Sequence, residues 1–136
     1  MSFKKGEYED ASNLQALTLL MVRTLPQLKD AESAKWKVMY SLNELDHIGG
    51  KCKRVTGTEK FHTGLDFDIL IHKPPFIASG ALERLRILAH ELYHIEKSKA
   101  YFKVRIHEGD FCEIADHDKF SYTMAEQAAS QLGIAI

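Results

Sequence analysis

Two histidines four positions apart bracket a glutamate in the run His90-Glu91-Leu92-Tyr93-His94. On an α-helix, residues four apart lie one turn above each other, so both imidazoles project from one face and can accept a single ion. Glu91 projects about 100° further round, within reach of a water on that ion without being one of its ligands. Zinc suits such a set because it favours imidazole and, when catalytic, takes three protein ligands plus water. The ion would lower the pKa of that water from about 15.7 toward ~7, and Glu91 would take the proton as the water attacks a peptide carbonyl. The same carboxyl would then hand the proton to the leaving amine.

A third ligand must come from downstream. The metzincin pattern would need Gly at 97 and His at 100, where Lys97 and Ala100 stand, so that solution is excluded. His107, Asp110, Glu113, Asp116, His117 and Glu126 remain. His117 is best placed, since it comes just before the last helix and after a hairpin that can fold back; carboxylates stay open because His2Glu sites are also common. Tyr122, Tyr101 and His107 are candidate donors to the negative charge that develops on the attacked carbonyl oxygen. Asp116 or Asp118 can orient His117, or simply cap the last helix. His47, His62 and His72 lie upstream and read as ordinary loop or strand histidines.

The helix that must carry the motif runs from Ala81 to about Lys97, after Ser79 or Gly80 as cap, with Leu82, Leu85, Leu88, Ala89, Leu92 and Ile95 as its apolar face. Two histidines and a glutamate on so apolar a helix would be costly to bury unless something paired with them. Ahead of it, Phe67-Asp68-Ile69-Leu70-Ile71-His72 reads as a strand closed by Pro74-Pro75. If this strand lies at a sheet edge, an extended peptide can add to it through backbone hydrogen bonds. Trp36 to Leu42 suits a half-buried strand, and Gly49-Gly50 turns into a second, Lys51 to Val55, with one wet cationic face. An N-terminal helix is expected from Tyr8 to Leu25, ended by Pro26. Downstream, Tyr101 to Ile106 and Phe111 to Ile114 flank a Glu108-Gly109-Asp110 turn as a hairpin, and a last helix spans Asp118 to Leu132. The order α-β-β-β-α-β-β-α indicates an α+β fold in one domain, residues 1–136.

Composition bounds the alternatives. The chain has 136 residues, 18 Lys+Arg against 19 Asp+Glu, and is 45% apolar, which excludes a disordered or fibrous class. A net charge of -1 removes the general electrostatic argument for nucleic-acid binding, leaving Lys51-Cys52-Lys53-Arg54 as a local basic patch on a solvated face. Cys52 and Cys112, 60 positions apart, make neither a disulfide framework nor a zinc ribbon, and a reducing, cytoplasmic setting is expected. The start MSFKKGEYED has no apolar leader, and no run approaches a membrane span.

His90-Glu91-Leu92-Tyr93-His94, followed by His117-Asp118-Lys119-Phe120, resembles the paired motifs of small zinc metallopeptidases, the SprT-like and WLM families among them. Over most of its length the chain resembles the phage metallopeptidase family, from the N-terminal helix and the Gly-rich turn into a basic strand to the Phe67–His72 strand and the His117 segment. The resemblance implies a minimal zincin-like fold, with His90, His94 and His117 as zinc ligands and Glu91 as catalytic acid/base. It implies a peptide or protein substrate; neither a membrane nor a nucleic-acid partner is expected. SprT-like proteins usually have Cys where Tyr93 stands and Gly where Asp118 stands, so a DNA-linked role does not carry over. The alternative is a non-catalytic or structural zinc module that acts through a protein partner; a fourth protein ligand would mark it, because catalytic zinc keeps an open position.

Overall fold

The computed structural model describes residues 7–42, 50–98, 101–104 and 111–133, with 111–121 described by backbone alone. The elements are β1 (Tyr8–Asp10), α1 (Ser12–Thr24), a 3₁₀ segment (Pro26–Ala31), β2 (Trp36–Ser41), β3 (Gly50–Arg54), α2 (Gly57–Thr63), β4 (Phe67–His72), α3 (Lys73–Ala78), α4 (Ala81–Tyr93), β5 (Ile95–Lys97), β6 (Phe102–Val104) and α5 (Phe111–Leu132). This is a mixed α+β architecture with two small sheets.

The main sheet has the order β1-β2-β4-β3, so β4 is an interior strand. The sequence left β4 either at an edge or paired and covered; the second holds, and its own residues give the reason. Phe67, Ile69 and Ile71 are buried on one face and Leu70 on the other, the continuous apolar run of a strand covered on both sides. β4 pairs parallel with β2, setting Trp36 against Phe67 and Val38 against Ile69, and antiparallel with β3, setting Gly50 against Ile71 and Arg54 against Phe67. Full burial of each large side chain in this layer is worth about 1.5–3 kcal/mol. β3 forms one edge of this sheet.

At the other edge, residues 8–10 do not begin the first helix. They form β1, antiparallel to β2, where a strand satisfies backbone groups that a helix could not. β1 stops at Asp10, and the side chain of Gln15 on α1 continues its work: Nε2 donates to the carbonyl of Trp36 at 2.8 Å and Oε1 accepts from the amide of Val38 at 2.8 Å. Thr18, wholly buried, accepts from the Trp36 indole at 3.0 Å. Pro26 ends α1 as expected and opens the 3₁₀ segment.

α4 packs on the sheet through Leu85, Leu88, Ala89 and Leu92, all buried. Its N-cap is Gly80, while Ser79 instead donates to the Pro75 carbonyl at 2.8 Å. The helix stops at Tyr93 rather than Lys97. Residues 95–97 form β5, antiparallel to β6, with Ile95 fully buried; burial of Ile95 and the new ladder outweigh the helical propensity of this segment. The hairpin expected between residues 101–106 and 111–114 is likewise replaced. Residues 102–104 pair back onto β5, and Phe111 opens α5, seven residues before the expected start at Asp118. Four residues are too few for alternation to separate a strand from a helical turn. α5 buries Met124, Ala125, Ala128 and Ala129, and it is tied to α4 where the Tyr122 hydroxyl donates to Glu83 at 2.6 Å.

Candidate metal centre

The apolar pattern of α4 fixes which way its last turn points. With Leu85, Leu88 and Leu92 turned into the core, His90 and His94 fall together on a half-buried flank, while Glu91 turns inward. His94 is the C-cap, and its amide donates to the Glu91 carbonyl at 3.2 Å, so the second histidine sits at the last helical bond before the chain departs into β5. The two imidazole rings stand 5.0 Å apart between centroids and are inclined at 69°, edge to face rather than stacked. One ligand atom from each of His90, Glu91 and His94 lies within 4.8 Å of the other two.

Glu91 is the outlier of the core. Only 4% of its surface is exposed, and its Oε1 has no hydrogen-bond partner among the described residues. Burial holds its carboxyl up at about 8, against the weaker opposing pull of the Arg86 guanidinium. An acceptor buried without a donor costs about 1–3 kcal/mol. Two imidazoles and such a carboxyl, converging within a few ångströms, fit a divalent cation: the nitrogens are ligands zinc prefers, and a water on that cation would give the stranded oxygen a partner.

Two residues on β3 complete the surroundings of Glu91. Gly50 lies so close that a Cβ there would stand 2.9 Å from the Leu70 carbonyl oxygen and 3.2 Å from Glu91 Cγ. Only glycine lets the strand pass over the carboxyl at this distance. Cys52 is buried two residues on, and its thiol is pushed up by burial first and then by the charges of Glu91 and Asp68. The Gly49-Gly50 turn was the available signal for this approach, but nothing in the chain said which side chain the glycine would meet.

The remaining expected site residues fall differently. The side chain of His117 lies outside the described residues, as do His107 and Asp110 and the side chains of Glu113 and Asp116. Glu126 is exposed on α5 and does not join the His90, Glu91 and His94 group. Tyr122 is committed to Glu83, which also accepts from Arg86 at 2.8 Å, and Glu83 stands two helical turns, roughly 10 Å, before His90. Tyr101 lies with its ring 5.8 Å from the Arg54 guanidinium, at the far end of β3. His62 is exposed on α2, and His72 closes β4 half-buried; His47 lies outside the described residues.

Fold and site together define a small α+β architecture in which a helix presents a His-Glu-His group that could hold a metal ion beside a mixed sheet. The chain belongs to the family described as Putative phage metallopeptidase, whose model matches residues 6–130. Searches of the curated proteins and of the solved structures each return no match. Family and side-chain group together imply a metal ion. Among the described residues, no helix is long and apolar enough to cross a membrane.

Proposed function

We propose that the chain is a zinc-dependent peptidase of zincin-like build, with His90, His94 and His117 as ligands and Glu91 as general base. The observation that carries this reading is the burial of Glu91 beside two imidazoles on one helical face, its Oε1 without a hydrogen-bond partner among the described residues. When bound, zinc would supply Lewis acidity, making a water a nucleophile near neutral pH and polarising the carbonyl to be attacked. His90 and His94 hold their rings at the end of α4, each fixed by the helix that also packs the core. Glu91 takes the water proton on its carboxylate and returns it to the leaving amine. A cation held by the neighbouring imidazoles would favour the ionised carboxylate that the role of base requires.

The substrate is an extended peptide. β3 ends the sheet, has no strand hydrogen-bonded to its outer side among the described residues, and runs past Glu91 at Gly50, so a peptide added to this edge brings its backbone to the carboxyl. Buried, free Cys52 fits a reducing compartment, and we place the protein in the cytoplasm.

The reading is tested by metal analysis of the purified chain together with hydrolysis of quenched-fluorescent peptides. Near-stoichiometric zinc is expected, lost on His90→Ala, His94→Ala or His117→Ala. Glu91→Gln should retain zinc and lower kcat by a factor of about 100 to 10,000. Turnover that survives Glu91→Gln refutes the mechanism, and zinc lost on His107→Ala but kept on His117→Ala overturns the ligand set.

A further inference from the structure

Four residues beyond Gly50, about 13 Å along the strand, β3 runs into a cleft of about 460 Å³ between its own end, α2 and the β5–β6 hairpin. Arg54, Lys60 and Lys97 bring three cations to its walls. The one acid there, Asp66, is already spoken for: its Oδ1 accepts from Lys60 Nζ at 2.5 Å and its Oδ2 from the Lys35 amide at 2.9 Å. Arg54 lies over the Tyr101 ring, which holds the guanidinium at the mouth, and Arg54 and Lys97 are both exposed. The cleft therefore keeps an excess of two positive charges on a chain whose formal net charge is -1, so this is a local concentration and not the general character of the surface.

We propose that this cleft is a specificity subsite for an acidic side chain, Asp or Glu, of the peptide substrate. The proposal rests on the peptidase reading and on β3 as the strand that takes the substrate. β3 runs from Glu91 toward the cleft. A peptide added antiparallel, the commoner pairing, runs from the cleft toward Glu91. Its residues over Arg54 are then those before the scissile bond, about three to five positions upstream. Arg54, Cys52 and Gly50 alternate onto one face of β3, and the side chains that line the cleft can meet a carboxylate in two ways, through the planar fork of Arg54 and the point charge of Lys97.

The test uses the full zinc-loaded chain and quenched-fluorescent decapeptides with a common cleavable centre, placing Glu or Lys at each position from two to six before the bond. Glu should exceed Lys in kcat/KM by about 10-fold at a position three to five upstream, through KM, with the ratio shrinking as salt is raised. In the double variant Arg54→Ala/Lys97→Ala the Glu-to-Lys ratio should fall toward one. Equal rates for Glu and Lys at every position overturn the proposal. If no peptide is cleaved, that failure belongs to the peptidase reading, and binding decides the subsite instead. Fluorescein-labelled Glu and Lys peptides are titrated into zinc-loaded Glu91→Gln and read by anisotropy. About 10-fold tighter binding of the Glu peptide, lost in the double variant, supports the subsite; equal or absent binding overturns it. A ten-nucleotide single strand that displaces the Glu peptide and depends on Arg54 and Lys97 would assign the cleft to phosphates and also overturn it.

Discussion

The two ends of β3 are four residues apart in sequence and opposite in physics. At Gly50 the strand passes over a dry carboxyl: Glu91 is held up at about 8 by burial, and the nearby Cys52 thiol is pushed up by burial and by that same carboxyl. At Arg54 the strand ends in water among cations, one of them anchored by Asp66, whose carboxyl stays below its usual range. Desolvation is the largest single influence on Asp66 and raises it, but the Lys60 and Lys35 hydrogen bonds and charges together prevail. One end has the low dielectric that tunes a reactive group; the other has the solvated charge that recognises a ligand without being committed to a buried partner. The difference teaches that an edge strand can join chemistry to recognition simply by leaving the core along its length.

That contrast can be broken most severely at Gly50. Gly50→Val should destabilise the chain by about 2–3 kcal/mol or more in chemical denaturation, since the added Cβ meets the backbone oxygen of Leu70, which cannot turn aside. A stability close to wild type would show that β3 does not press on Glu91. A smaller effect comes from pH in the metal-free protein. The folded-state pKa of Glu91 lies above its unfolded value of 4.5, so between about 4.5 and 8 the unfolded chain has lost a proton that the folded chain keeps. Stability should therefore fall as pH rises through that window, by up to about 1.4 kcal/mol per pH unit from this group. Glu91→Gln should flatten that part of the slope, and an unchanged slope would place the carboxyl in a wetter site.

Cys52 sharpens the same end kinetically. In a Cys112→Ser background its reaction with a thiol reagent at pH 8 should be at least about 10-fold slower than in the unfolded chain, because both burial and neighbouring carboxyls disfavour the thiolate. Fast labelling would mean that the Gly50 end opens to water. The smallest effect belongs to the wet end: Arg54→Ala should change stability by no more than about 0.5 kcal/mol, as expected of an exposed charge. A larger loss would give Arg54 a structural role that the contrast denies it.

The His90, Glu91 and His94 grouping was legible because it is local: a period of 3.6 brings two residues four apart together whatever the rest of the fold does. β4 could be delimited to the residue, Phe67 to His72, since an apolar β-branched run bounded by Pro74-Pro75 leaves little choice. Its position in the sheet was another matter. Edge or centre depends on which strands find it, and β2 and β3 lie 31 and 17 residues ahead of it in the chain. The end of α4 was misread for the same reason, because Ile95 continues the helical apolar stripe and only the neighbouring β6 and 3₁₀ segment make a strand the better place to bury it.

From the sequence alone came the motif, its helix and the residue types that suit a metal, all properties of neighbours within about one turn. Tertiary structure decided that Glu91 is buried, that Gly50 and Cys52 crowd it, and that Arg54 meets Lys60 and Lys97 at one cleft. Those facts depend on contacts between segments tens of residues apart, and burial, which sets both the pKa of Glu91 and the exposure of the cations, has no value until the chain has closed around it.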